Sequence, residues 1–394
     1  MRFRRRSWRR LGEIGFRRAI SVSLLFLACP ALYSQSAQTP TPGDLFSKAK
    51  AYQEQGQWDL AEESYRQFLR QVPASAAGHS NLGVVYAHER KFEDAAREYE
   101  TAIKIDPSLS GVYLNLGIAY FQQANYAGAA SALQKYLARD SGNRQAQELL
   151  GLCDLELDRY EDAIRMLAPL QADGGPDVLL ALGASYVRLR RLHEAEAVLG
   201  GLLSSQSNSA QGHFLMGQTY AGLNAFPQAL EEFKMVLALD RSWPDIKLLL
   251  GATEARLGRF QEAEADLREQ LQIAPHSFET LFTLGALLNK QGRFHDAIPL
   301  LLQARDLNSR SGDVEYQLAE AYWKTASQAA AWSAVQRAVR FDPKNGQAHY
   351  LYAQIARQRG DRAAAEHEFA VAESLSGSKA EQDILRLSEE SQNR

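Results

Sequence analysis

Histidine, serine and paired carboxylates are the residues of this chain best suited to chemistry, but their spacing favours no reaction. The His-Glu dipeptides at 193–194 and 367–368 lack a second histidine at zinc-protease spacing, and the eight histidines form no cluster. Segment 183–186, Gly-Ala-Ser-Tyr, lacks the second glycine of a nucleophile elbow. No Gly-rich phosphate loop follows a predicted strand. We therefore predict no catalytic residues, no metal ligands and no cofactor.

Adjacent carboxylates recur at or near the starts of predicted helices, at 62–63, 93–94, 161–162 and 231–232. There they complement the positive end of the helix dipole, an effect of ~0.3 to 1 kcal/mol each. A structural role explains these pairs without acid–base catalysis.

The formal net charge of −3 combines two regions of opposite sign. Residues 1–18 hold eight arginines and one glutamate, whereas the remainder has 36 basic and 46 acidic residues, a charge of −10. An acidic body argues against binding of nucleic acid. The arginines precede an uncharged run over 19–33 and then a small, polar stretch, which is the order of a secretory signal peptide.

The fifteen-residue uncharged run is short for a membrane span. A helix of that length extends about 22 Å, against a hydrocarbon core of roughly 30 Å. We predict a signal peptide or N-terminal anchor over 1–36, a linker over 37–43, and an exported protein of the periplasm or cell envelope. Segment 26–29, ending in Cys29, resembles a lipoprotein signal, so lipidation at Cys29 is an alternative.

A small residue recurs every 34 residues, with one interval of 32, and we call it the anchor of each repeat. The ten anchors are Ala49, Gly83, Gly117, Gly151, Gly183, Gly217, Gly251, Gly285, Ala319 and Ala353. An alanine follows every anchor by twelve residues and a large apolar residue follows it by sixteen. A tyrosine often stands three residues after the anchor. In four repeats a glycine stands seven residues after it, and in four repeats a proline stands twenty-four residues after it. This pattern predicts two helices per repeat that cross closely at the anchor.

The repeat resembles the tetratricopeptide repeat (TPR) in motifs such as Asn81-Leu82-Gly83-x-x-Tyr86 with Ala95, Tyr99 and Pro107, and Asn115-Leu116-Gly117-x-x-Tyr120 with Ala129. The resemblance implies an all-α fold, an α-solenoid that forms a right-handed superhelix of about ten units over 44–379. It also implies a concave groove that binds a peptide or protein partner, in a class with few enzymes. A helical pattern over 380–394 predicts a C-terminal capping helix.

Repeats four, seven and ten depart from the tyrosine pattern, with Asp154, Glu254 and Ala356 in its place. Repeat four is two residues short, and Pro169 should end its second helix early. We predict either a bend or flexible joint at 169–176 or a shortened turn without functional consequence. Pro299 is expected to kink the second helix of repeat eight.

Helical geometry places the residues three before, one after and four after each anchor on one face of the first helix. At the first of these positions eight of ten residues are apolar or aromatic, and Trp323 joins them near the C-terminal end. This predicts partner-binding residues Phe121, Phe214, Phe282, Tyr316, Trp323 and Tyr350. Asn81 and Asn115, two before their anchors, resemble groove asparagines that bind the ligand main chain in some TPR proteins, and the resemblance adds them to the predicted site. Packing between repeats is the alternative explanation for the apolar ones.

The predicted function is a non-catalytic scaffold for a protein or peptide partner, with membrane contact only through an uncleaved or lipidated N-terminal segment. The lysines and arginines of a carboxylate clamp are missing, so an acidic C-terminal tail is not the expected ligand. Two alternatives remain at this stage: a lipid-anchored structural or assembly factor of the envelope, and an accessory subunit of an envelope enzyme.

Overall fold

The computed structural model describes residues 40–376, which fold as paired α-helices without a β-strand. The helices with both ends described are α1 Pro42–Glu54, α2 Trp58–Gln71, α3 Ala76–His88, α4 Phe92–Ile105, α5 Ser110–Gln122, α6 Tyr126–Leu137, α7 Arg144–Glu156, α8 Tyr160–Leu167, α9 Pro176–Arg188, α10 Leu192–Ser205, α11 Ala210–Gly222, α12 Phe226–Leu239, α13 Ile246–Arg256, α14 Phe260–Ile273, α15 Phe278–Lys290, α16 Phe294–Leu307, α17 Gly312–Lys324, α18 Gln328–Phe341 and α19 Gly346–Gln358. A last helix, α20, follows over 362–376. Successive helices pair as α1 with α2 through α19 with α20, one pair per repeat, so the predicted all-α solenoid is confirmed.

The predicted signal peptide or anchor at 1–36 and the predicted capping helix at 380–394 lie outside the described residues. Helix α1 begins at Pro42, inside the segment expected to be a linker. The reason is a capping box: the Thr41 hydroxyl accepts from the Asp44 backbone, the Asp44 carboxylate accepts from the Thr41 backbone, and proline at the first helical position suits the fixed φ angle. Among residues 40–376, no helix is both long and apolar enough to span a bilayer.

Most first helices begin with a side-chain cap that the sequence supplies directly. Serine or asparagine accepts a hydrogen bond from the backbone three residues on, as at Ser75, Asn143, Ser209, Ser277, Ser311 and Asn345. Such caps satisfy an amide that the helix itself leaves unpaired. Most second helices lack one, because each follows at once from a tight backbone turn.

That turn places the residue seven after the anchor in the left-handed region in all ten repeats. Four repeats have glycine there, as predicted, with φ between 70° and 84°. The other six have φ between 56° and 62° without glycine: Arg90, Ala124, Asp158, Arg190, Asn224 and Ala326. Each of these pays a conformational cost on the order of 1 kcal/mol. The turn keeps its form because the next amide bonds back to the first helix, as from Lys91 N–H to the Tyr86 carbonyl at 2.8 Å.

The predicted close crossing at the anchor is confirmed. A Cβ added to Gly217 would lie 2.5 Å from Cε1 of Phe233, and one added to Gly285 would lie 2.7 Å from Cδ2 of Leu301. Each ring or leucine stands sixteen residues after its anchor. The alanines twelve after the anchor are all buried, nine of them with no exposed surface. The two helices of a repeat therefore approach as closely as their backbones allow.

The described chain forms two compact units, residues 40–207 and 208–376. Within the first, α8 ends at Leu167, a 3-10 turn spans Ala168–Leu170, and α9 starts at Pro176. Pro169 thus ends the second helix of repeat four as expected, while a flexible joint there stays a prediction. Within the second unit, α16 continues through Pro299.

Candidate functional site

The eight predicted binding residues divide between the two compact units. Asn81, Asn115 and Phe121 lie in residues 40–207, and the remainder lie in residues 208–376: Phe214, Phe282, Tyr316, Trp323 and Tyr350. All eight are on first helices, as the repeat register requires. Seven are half-buried and Tyr350 is 52% exposed.

In the first unit the predicted residues take part in packing. Burial raises the pKa of Tyr65, on the preceding repeat, to about 12, and the Asn81 side chain opposes that rise. The Phe121 ring meets Tyr126 edge-on at 5.7 Å between centroids. Asn115 is half-buried on α5. These contacts favour the packing interpretation for this part of the predicted site.

In the second unit the aromatic residues pack inward and also retain exposed surface. Phe282 stacks on Phe278, with centroids 6.2 Å apart and ring planes within 5°. Both rings, together with Tyr316 and Trp323, pack against one buried cluster. Tyr350, on α19, meets Phe369 edge-on at 5.5 Å while half of its side chain faces solvent. Phe214 packs on Trp243 at 5.2 Å.

Trp323 links two first helices directly. Its indole N–H donates to Oε1 of Gln358 at 2.8 Å, which joins α17 to α19. Beside it, Glu320 is half-buried, and burial raises the pKa of its carboxyl group above the usual range. The same helix face therefore combines inter-repeat packing with an aromatic surface that water reaches.

Charges border this surface in a regular way that the sequence analysis missed. The residues six before the anchor are acidic in three consecutive repeats, Asp245, Glu279 and Asp313. Those five after the anchor are basic in the same repeats, Arg256, Lys290 and Lys324. Glu279 and Asp313 and the three basic residues fall on the helix face that carries the aromatics, whereas Asp245 is the left-handed residue before α13 and its Oδ1 accepts from Gln270 at 3.1 Å. Extending the register by three positions before and one position after would have found both rows.

The basic row also contacts aromatic rings. The Arg256 guanidinium lies 5.4 Å from the centroid of Phe226, and Lys290 Nζ lies 5.1 Å from that of Phe260. These rings begin the second helix of the preceding repeat, so the cations hold consecutive repeats together as well as charging one edge. We call the residues from the acidic row to the basic row, with the aromatic residues between them, the first-helix face of residues 208–376.

Three histidines four residues before an anchor have a structural role. Nδ1 of His79, His213 and His349 lies 2.5, 2.6 and 2.5 Å from a glutamate fifteen residues after the anchor, Glu98, Glu232 and Glu368. The equivalent position of repeat seven is Lys247, which contacts Asp266 at 2.8 Å. Each pair joins the two helices of one repeat, which confirms repeat geometry as the reason for the histidine spacing.

Within residues 40–376, no three metal-binding side chains come together as a possible ion site. The thiol of Cys153 is buried, and burial raises its pKa to about 12, so it is protonated at neutral pH. Cys29, the predicted lipidation site, lies outside the described residues.

Models of the tetratricopeptide repeat match residues 46–110, 86–153, 180–244, 245–310 and 288–355. The chain belongs to the tetratricopeptide repeat family. The matches span repeats on both sides of the short fourth one, and the helix pairs of this TPR protein follow the same register. No curated protein matches the chain in sequence.

Several solved structures are similar to this TPR protein in fold. The APC/C hetero-tetramer Cut9–Hcn1 covers 86% of this chain and 88% of its own at 14% identity, with a TM-score of 0.49. Yeast Tom70 covers 90% and 99% at 14% identity, with a TM-score of 0.39. PilW, a type IV pilus biogenesis factor, covers 50% and 90% at 20% identity, with a TM-score of 0.46. At these identities and TM-scores the matches carry no argument about the partners or function of this chain.

Proposed function

We propose that this TPR protein is a non-catalytic scaffold that binds a peptide or protein partner through the first-helix face of residues 208–376. The observation that carries the proposal is the half-buried aromatic row of that face, which ends in the exposed ring of Tyr350. Aromatic residues with polar neighbours are typical of the centres of protein interfaces.

The acidic row and the basic row restrict which charges a partner segment can carry along its two sides. In α15 and α17, eleven residues separate the acidic position from the basic one, which on a helix is about 16 Å, with the aromatic residues between them. The complement is a partner segment with apolar side chains along its middle, basic groups on the side of Glu279 and Asp313, and acidic groups on the other side. A partner of uniform charge would meet repulsion at one of the two edges.

Replacing Tyr316 and Trp323 together by alanine should weaken partner binding by about 2 kcal/mol or more, roughly thirty-fold, because both aromatic contacts are removed. The partner is first captured by crosslinking in native cells, and the affinity of the purified pair is then measured by calorimetry.

Two control variants accompany this experiment. Ile273 and Leu307 are 70% and 48% exposed on second helices, so their double alanine variant removes apolar surface away from the face. Gln358→Ala removes only the hydrogen bond that Trp323 donates. Unchanged affinity in a folded Tyr316, Trp323 variant, or equal loss in the Ile273, Leu307 control, would reject the proposed face.

We also propose that the protein acts outside the cytoplasm, on the support of its arginine-rich leader and the uncharged run at 19–33. Intact-mass measurement of the protein from its native host should show an N-terminus near Ala37. A mass that retains all leader residues would contradict cleavage. A mature N-terminus at a lipid-modified Cys29 would instead indicate a membrane-anchored protein. Either result leaves the proposed binding face untouched.

A further inference from the structure

Glu320 lies on the first-helix face with an aromatic residue on either side of it. Tyr316 precedes it by four residues and Trp323 follows it by three, so the three lie on one face of α17. All three are half-buried. Burial raises the pKa of the Tyr316 hydroxyl and the Glu320 carboxylate adds to that rise, so the negative charge lies near the phenol. A carboxylate group therefore interrupts the aromatic surface of α17.

No cation of the described chain pairs with this carboxylate. Among residues 40–376, Glu320 makes neither a hydrogen bond nor an ion pair. Lys324, one turn further along α17, lies over the Trp323 ring, with Nζ 5.1 Å from the centroid, and its charge only partly offsets the burial that raises the pKa of Glu320. The Arg357 guanidinium, on the next first helix, lies 5.6 Å from the centroid of Phe369. The half-buried charge of Glu320 is therefore not neutralised by contact with a cation.

The repeats on either side carry no charge at the same position. One residue after the anchor stands Ala286 in repeat eight and Gln354 in repeat ten, where repeat nine has Glu320. Both are half-buried. The alanine side chain occupies little space, and the glutamine amide can donate or accept a hydrogen bond. Neither neighbour supplies a cation to Glu320.

Glu320 differs in accessibility from two other acidic residues that lack hydrogen bonds. Asp154 and Glu254 each have a fully enclosed oxygen without a hydrogen bond, and they are only 2% and 7% exposed. Glu320 keeps more exposed surface, on a face that water reaches. A partner that covered it with apolar side chains alone would remove that water and leave the charge uncompensated, which is strongly unfavourable. A partner side chain with a positive charge would compensate it.

We infer that Glu320 binds a basic side chain, lysine or arginine, of the partner protein, with Tyr316 and Trp323 beside the bound cation. A carboxylate next to aromatic rings is the combination that attracts such a group, through a charge-assisted hydrogen bond and cation–π contacts. Because the site lies on the first-helix face, it rests on the proposed function. It adds one basic residue to the otherwise apolar middle of the partner segment.

The probe for the test is a display library of random linear peptides, selected on the full chain and, in parallel, on Glu320→Gln and Glu148→Gln. We expect the wild-type protein to enrich peptides in which a lysine or arginine stands among apolar residues. Glu320→Gln keeps the shape of the side chain, removes its charge and should lose that enrichment. Glu148 is the matched control, since it is a half-buried first-helix carboxylate whose pKa burial also raises, but it lies in residues 40–207. Glu148→Gln should enrich the same peptides as wild type.

The affinity of a selected peptide then measures the contact itself. Glu320→Gln should bind it roughly ten- to a hundred-fold more weakly, the range of one hydrogen bond to a charged group. Replacing the basic residue of the peptide by glutamate should abolish binding to wild type and restore binding to Glu320→Lys. A merely structural role of Glu320 would not give this restoration, and circular dichroism verifies that each variant is folded.

The outcomes separate failure at Glu320 from failure of the proposed function. Enriched peptides that depend on Tyr316 and Trp323 but carry no basic residue would leave the proposed face in place and overturn the inference. Basic peptides that bind Glu320→Gln as tightly as wild type would also overturn it. If the Tyr316, Trp323 double alanine variant enriches the same peptides as wild type, or if neither protein enriches any, the proposed face is wrong and the inference fails with it.

Discussion

Phe233→Ala is expected to lower the free energy of unfolding of residues 208–376 by about 3 to 5 kcal/mol. Phe233 is 1% exposed, and its ring lies on the bare backbone of Gly217 at the crossing of α11 and α12. Because that crossing has no Cβ to move into the space, truncation leaves a cavity that the backbone cannot close. Urea unfolding followed by circular dichroism measures the loss.

Hydrogen exchange of the same variant locates the effect. In a solenoid each repeat contacts only its neighbours, so amides of α11 and α12 should lose protection before those of α17 and α18. Met235→Ala is the matched control, since Met235 is 42% exposed on the same helix and its loss should cost less than about 1 kcal/mol. A loss below about 1 kcal/mol for Phe233→Ala would show that the crossing is not the main support of the repeat.

Asp154→Asn is expected to raise the unfolding free energy of residues 40–207 by about 1 to 3 kcal/mol at pH 7.5. Asp154 is 2% exposed where most repeats have tyrosine, and its Oδ1 makes no hydrogen bond within the described chain. The Arg159 Nη1 atom is 3.6 Å away. Burial raises the pKa of Asp154 to about 6, the nearby Asp162 carboxylate acts in the same direction, and Arg159 opposes them.

The pH dependence has a definite sign. Because the folded pKa of Asp154 is above its ordinary value of 3.8, the folded chain holds this proton more tightly than the unfolded chain. The stability that the protonated Asp154 contributes to the fold is fully present below about pH 4 and is lost as the pH rises through 6. The free energy of unfolding of the wild-type protein should therefore increase when the pH is lowered from 7.5 to 5. That increase should be absent in Asp154→Asn.

Urea unfolding at the two pH values measures this difference. Asp173→Asn is the control, because the Asp173 side chain is 74% exposed and pairs with Arg144 at 3.2 Å, a surface interaction of about 1 kcal/mol at most. A pH response in Asp154→Asn equal to that of wild type would assign the titration to another group.

The amino-acid sequence determined the helix pairs and their tight crossings. The anchor, the alanine twelve residues on and the large residue sixteen residues on form one local pattern, because all three lie within two helices and one short turn. Phe233 over Gly217 follows from that spacing alone. Four glycines likewise indicated the left-handed turn. Arg90 and Ala326 adopt the same conformation, but arginine and alanine do not predict it.

Contacts between repeats were decided by the tertiary structure. Whether an aromatic residue of a first helix packs or faces a partner depends on side chains about 34 residues away, as Trp323 and Gln358 show. Sequence periodicity defines which positions repeat, but close packing across the joints determines which of them remain open to a ligand.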